Sequence, residues 1–156
     1  MMREIEITRG GFTVFARVLG DPAAPALLYL QGGPGFPAPR QRFEWVTHAL
    51  ERGYQVVLLD QRGTGRSTRI DSATPELIRT DVLASLRADE IVADAEALRE
   101  EMGLDRWDVL GQSFGGFCLM HYLAAYPEGV GRALFTGGVP SIGRGADEVY
   151  RATFAK

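Results

Sequence analysis

The sequence predicts an α/β architecture: a mostly parallel sheet with flanking helices and an antiparallel hairpin at its N-terminal end. Three observations predict it. Short runs rich in strand formers alternate with longer stretches of helical spacing, the order that crossover units and a parallel sheet require. The run ALLYL at 26–30 is apolar throughout and YQVVLL at 54–59 nearly so, as strands covered on both faces are. A third run, WDVL at 107–110, leads straight into GQSFGG, a strand that turns abruptly into a helix with a serine at the corner.

Taken in order, residues 4–10 and 11–19 read as two strands joined at Arg9-Gly10-Gly11, a hairpin for the sheet edge. Gly20-Asp21-Pro22 punctuates it, and the strand at 26–30 follows. QGGPGFP at 31–37 is too rich in glycine and proline for regular structure, and loops just past a central strand are where ligand-facing groups gather in open α/β sheets. Residues 39–52 have helical spacing through Phe43, Val46 and Leu50, with Gly53 as the stop. A strand at 54–59 ends in the polar loop DQRGTGRS at 60–67. From 75 to 102 the chain is mainly helical, with a short separate helix expected within 72–86 and an amphipathic face at Ile91, Ala95, Leu98 and Met102. Gly103 ends that helix. After the serine turn, Phe117, Cys118, Met120, His121, Ala124 and Ala125 suggest a helix buried behind it, ending near Pro127. A parallel strand is expected at 133–136, with Gly137-Gly138-Val139-Pro140 leaving its tip.

The turn Gly111-Gln112-Ser113-Phe114-Gly115 matches G-x-S-x-G in the strand and helix context that the pattern needs. A serine on so sharp a turn is lifted clear of the sheet, and small residues at Gly111 and Gly115 let the turn close. The following helix N-terminus offers N–H groups to developing negative charge, and Phe114 would lend its own to an oxyanion hole. A free serine is a poor nucleophile, so a base must accompany it. On local sequence alone Ser113 could also be a helix N-cap, and QGGPG a plain tight turn.

Composition narrows the alternatives. The 156 residues suit one domain, and 46% hydrophobic residues with eight Phe can fill its core. Seventeen Lys and Arg against 20 Asp and Glu give a formal charge of -3, so a nucleic-acid partner is not expected. The single cysteine, Cys118, allows no intrachain disulfide and no cysteine zinc cluster, and reads as a buried helix residue. With no apolar run near twenty residues and no hydrophobic leader after Met1, a cytoplasmic protein without a membrane partner is the expectation. Neither GxxxxGK[ST] nor a helix-opening GxGxxG is present, so a nucleotide is not expected either.

The motifs QGGPG at 31–35, DQRGTGRS at 60–67 and GQSFGG at 111–116, in this order, resemble the proline iminopeptidase (prolyl aminopeptidase) branch of the α/β-hydrolases. RADEIVADAEALRE at 87–100 resembles the same branch, so the similarity spans nearly the whole chain. The resemblance implies Ser113 as nucleophile and the N–H groups of Gly33 and Phe114 as oxyanion hole. It implies supporting loops in Gln31, Gly32, Pro34 and Gly35 and in Asp60, Arg62 and Gly63, with Asp60 structural. The family more often carries histidine where this chain has Gln31. It implies no metal and no organic cofactor. Family members place the triad aspartate and histidine after a cap domain, so residues 1–156 are expected to be an incomplete hydrolase core. His48 lies within the first helix, and His121 lies eight residues past Ser113, about 12 Å along a helix axis, so neither is expected to serve as the base.

The expected activity is that of a serine hydrolase releasing N-terminal proline from peptides through an acyl-enzyme, with esterase or amidase action as the alternative. A third alternative is an inert fragment or interaction protein that associates with itself through an incomplete sheet edge.

Overall fold

The computed structural model describes residues 1–138, 141 and 143–155; Val139 and Pro140, expected at the tip of the last strand, lie outside the described residues. Six strands form one sheet in the order β1-β2-β4-β3-β5-β6. They are β1 (Met2–Arg9), β2 (Phe12–Leu19), β3 (Ala26–Leu30), β4 (Gln55–Asp60), β5 (Trp107–Gln112) and β6 (Val130–Thr136). β1 and β2 form the antiparallel hairpin at one edge, β2 runs antiparallel to β4, and β4, β3, β5 and β6 are mutually parallel. Every residue of β3 and β4 is buried, as their apolar runs require.

Both faces are covered. On one, α3 (Ala88–Glu101) and α4 (Phe114–Ala125) pack Ile91, Ala95, Leu98, Leu119 and Tyr122 against Val14, Leu28, Leu30, Leu59 and Val109. On the other, α1 (Glu44–Glu51) sets Val46 over Tyr29, Val56 and Leu58. Strand alternation explains the division: in register with one another, Tyr29, Leu58 and Leu110 point to the α1 side.

Several expectations shift. The first helix begins at Glu44, later than position 39, because the preceding loop is drawn into extended contacts: Asp60 accepts the Ala38 N–H at 2.9 Å and holds the Arg40 guanidinium at 2.5 Å. The 72–86 segment divides into a 3-10 turn at Pro75–Leu77 and α2 (Thr80–Ala84). β6 starts three residues before 133. A final helix, α5 (Ala146–Phe154), adds to the expected set; Asp147 and Glu148 in its first turn suit a helix start. The largest correction concerns α4. Cys118, Leu119 and Tyr122 are buried, but Phe117, Met120, His121, Ala124 and Ala125 are exposed. An apolar sequence on all sides of a helix reads as full burial, whereas the sheet and α3 cover only one side.

Beneath α4 a polar chain is sealed into the core. The Trp107 indole N–H donates to the Tyr122 hydroxyl at 3.0 Å, which donates to Glu96 at 2.6 Å, and Arg99 closes on the same carboxylate at 2.5 Å. That guanidinium, with the Tyr122 hydroxyl, holds the Glu96 carboxyl below its ordinary range against the opposing effect of burial.

Candidate functional site

The chain crosses from β3 to β4 on one side and then returns past β3 to β5 on the other, so the strand order reverses between β3 and β5. Such a switch point leaves a crevice at the C-terminal ends of the strands. The loops after β3, β4 and β5 all emerge at this edge, and they carry the three glycine-containing motifs.

Ser113 follows β5 and opens α4 with φ 51° and ψ -118°. It is the one non-glycine residue with positive φ among the described residues. A side chain in this region costs about 1–3 kcal/mol, and such outliers persist only where the surroundings over-determine them. Here they do. The Ser113 N–H donates to the Thr136 carbonyl at 2.9 Å, tying the turn to the end of β6, and the Ser113 carbonyl accepts from Gly116 N–H at 2.8 Å. Close approaches fix the rest: a Cβ on Gly115 would run into the Leu30 carbonyl, and one on Gly111 would lie 2.5 Å from the Gly115 carbonyl oxygen.

The Ser113 side chain is exposed and makes no capping bond to α4. It faces the loop after β3, since a Cβ on Gly32 would lie 3.1 Å from the Ser113 Cβ and 3.7 Å from its Oγ. Gly33 is next in that loop, at φ 128° and exposed. Among the described residues no backbone carbonyl accepts the N–H of Gly33 or of Phe114.

Supporting side chains knit the loops together. Asp60 is fully buried; besides Ala38 N–H and Arg40 it accepts the Arg66 N–H at 2.8 Å, while its own carbonyl accepts the Ser67 hydroxyl at 2.6 Å. Both of its carboxylate oxygens are thereby engaged in joining the loops after β3 and β4. Arg62 makes a bidentate pair with Asp94 of α3 at 2.7 and 2.5 Å, donates to the Ser85 carbonyl at 3.3 Å and lies over the Phe12 ring. Gln31 donates to the Phe36 carbonyl at 3.1 Å, and Gln61 donates to the Gln31 carbonyl at 3.3 Å. Gln112, beside the serine, accepts from the Tyr29 hydroxyl, a phenol that burial pushes up.

Sequence reasoning missed three of these partners: Asp94, Arg40 and Tyr29. Asp94 left a signal, a carboxylate between Ile91 and Leu98 on the buried face of a helix, where a charge demands a partner. Neither histidine joins the site: exposed His48 pairs with Glu44 at 3.9 Å, and His121 is on the exposed side of α4. Among the described residues no side chain hydrogen-bonds to Ser113 Oγ, and no three His, Cys, Asp or Glu side chains converge as a metal site requires. No helix of the described residues is long and apolar enough to cross a membrane.

Comparison with known proteins agrees with this fold. A family model described as alpha/beta hydrolase fold matches residues 25–156. The chain is 48% identical over 163 residues to a proline iminopeptidase of Aeromonas sobria, covering 98% of this chain and 37% of that protein. It is 39% identical over 147 residues to a proline iminopeptidase of Aspergillus aculeatus, covering 83% of this chain and 33% of that protein. The chain thus spans about a third of the length of these curated relatives. Among solved structures, a proline iminopeptidase-related protein from Thermus thermophilus superposes with a TM-score of 0.64 at 27% identity, covering 86% of this chain and 44% of that one. A 2-hydroxy-6-oxo-6-phenylhexa-2,4-dienoate hydrolase from Rhodococcus shares the fold at 23% identity, with a TM-score of 0.70 over 99% of this chain and 53% of that one.

Proposed function

Since this chain belongs to the α/β-hydrolase fold family, we propose that the whole protein is a serine hydrolase that releases N-terminal proline, or a similar residue, from peptides, with Ser113 as nucleophile. The observation that carries the reading is the strained, exposed Ser113 aimed at the Gly32–Gly33 backbone. The peptide substrate is inferred from the similarity to the Aeromonas sobria proline iminopeptidase.

In this reading Ser113 Oγ attacks the scissile carbonyl and its proton passes to a base. The carbonyl oxygen, now negative, moves between the N–H groups of Gly33 and Phe114, at the positive end of α4. One such donor contributes about a hundredfold to a thousandfold in rate. Collapse expels the amine with the proton from the base, leaving an acyl-enzyme that water then hydrolyses by the same route in reverse. Asp60 and Arg62 are positioning residues that hold the loops in register. The base and its orienting carboxylate are assigned to parts of the polypeptide outside these 156 residues, because His48 and His121 stand away from the site.

A fluorophosphonate probe and a prolyl amide test this on the full-length protein. Labelling at Ser113 and amide turnover, both abolished in Ser113→Ala, are expected; turnover of esters with prolyl amides left intact would favour the esterase reading. For residues 1–156 alone, the lack of a hydrogen-bond partner on Oγ among the described residues favours a second reading, catalytic inertness. Rapid stoichiometric labelling of that piece would contradict it.

A further inference from the structure

A cavity of about 450 Å³ lies on the α1 side of the hairpin, and neither the loop at 31–37 nor the serine turn lines it. Residues 40–42, which stay outside α1, form one wall. The end of β2 with its exit turn forms a second, and Leu50 near the end of α1 with Tyr54 beyond it a third. The volume is within the roughly 300–1,000 Å³ of sites that take a small molecule.

The two halves of the cavity differ in chemistry. Half-buried Leu19, Leu50 and Tyr54 give an apolar wall, while Arg17, Arg40 and Arg42 supply the other half. Arg17 lies opposite Leu58 in the sheet register, which turns its side chain toward α1. Its Nη2 donates to the Pro39 carbonyl, its Nε is sealed without an acceptor, and Nη1 is the end neither sealed nor bonded. No carboxylate among the described residues pairs with it: Glu4, across the hairpin, is taken by Arg66 at 2.7 Å, and Asp60 by Arg40 at 2.5 Å. Burial and then the like charge of Arg40 push the Arg17 guanidinium below its ordinary range, against the pull of Asp60 and Glu4. Arg42 is exposed and makes no hydrogen bond or ion pair among the described residues.

Charge sets the valence of a ligand here. Asp60 balances Arg40, and Asp21 on the rim carries one negative charge against Arg17 and Arg42. A monoanion therefore neutralises the side chains of the cavity, and a dianion overshoots. We propose that this cavity binds a small organic monoanion, a single carboxylate on an apolar body, with the carboxylate held by Arg17 and Arg42 and the body against Leu19, Leu50 and Tyr54. The planar guanidinium suits a carboxylate, and an acceptor brought to Nη1 gives Arg17 the counter-charge that the fold withholds. The site does not depend on Ser113 being the nucleophile.

Calorimetric titration of the full-length protein with octanoate tests this, with octanol, octylamine and octyl phosphate as probes matched in chain length. Octanoate is expected to bind at one site per chain and more tightly than the other three. Arg42→Met breaks no contact of the fold and should weaken octanoate binding about threefold, as an exposed charge does. Arg17→Met should weaken it about tenfold, the effect of one charged hydrogen bond. Leu50→Trp, which fills the apolar half, should abolish it. No binding of octanoate, equal affinity for octanol, tighter binding of octyl phosphate, or octanoate binding unchanged in all three variants would each overturn the proposal.

Discussion

The Ser113 N–H donates to the Thr136 carbonyl at 2.9 Å, so the turn that carries the hydroxyl is held by the neighbouring strand as well as by its own helix. The backbone at Ser113 is thereby kept at a positive φ that serine does not choose for itself.

Ser113→Gly should therefore be the more stable of two inactive variants. Ser113→Ala keeps the Cβ and its strain; glycine removes the strain but adds freedom to the unfolded chain. Denaturant midpoints should place Ser113→Gly about 1 kcal/mol above Ser113→Ala, the strain of about 1–3 kcal/mol less the entropic offset. Equal midpoints would mean that the turn is relaxed.

Gly115→Ala should be among the most damaging single-methyl changes in the chain. The added carbon meets the Leu30 carbonyl, a backbone group of the central strand that has nowhere to move. A loss of about 3 kcal/mol is expected from chemical unfolding. Gly145→Ala, with open space at its Cβ, should change the midpoint little.

The Glu96 carboxyl gives the fold an acid limb. Its folded pKa is depressed, chiefly by the Arg99 hydrogen bond, so the unfolded chain binds its proton first as pH falls. The stabilisation is present above the unfolded value of about 4.3 and disappears as pH drops through the lower folded one. Glu96→Gln should cost about 2 kcal/mol near neutrality, because Arg99, still held by the Leu104 and Asp105 carbonyls, loses its carboxylate, and should flatten the stability profile below about pH 4. Urea titrations across that range check both effects.

Cys118 should be silent toward thiol reagents. Burial pushes its thiol up to about 12, so almost no thiolate exists at neutral pH in the folded chain. Reaction with a disulfide reagent should wait for denaturant and then proceed to one thiol per chain. Fast reaction in native buffer would show that α4 opens readily.

The architecture was legible because its signals are local. Apolar runs at 26–30 and 54–59 read as strands buried on both faces, short and bounded by turn residues as they are, and the glycines around Ser113 mark a corner whatever surrounds it. The exposed side of α4 was not legible. Phe117 and Met120 carry the same apolar signal as Leu119, and only the position of the sheet decides which of them meets water. The first helix shows the same limit: its spacing continues back to residue 39, but Asp60, far away in the chain, captures the Ala38 N–H and Arg40 first.

The sequence by itself determined the elements, the serine corner and the glycine-rich loops, since each depends on residues within a few positions of one another. Only the tertiary structure decided which carboxylate holds Arg62 and which face of α4 is covered. Those outcomes turn on the strand order, which brings β5 beside β3 across some eighty residues of chain, and a contact between segments so far apart leaves no periodicity in either of them.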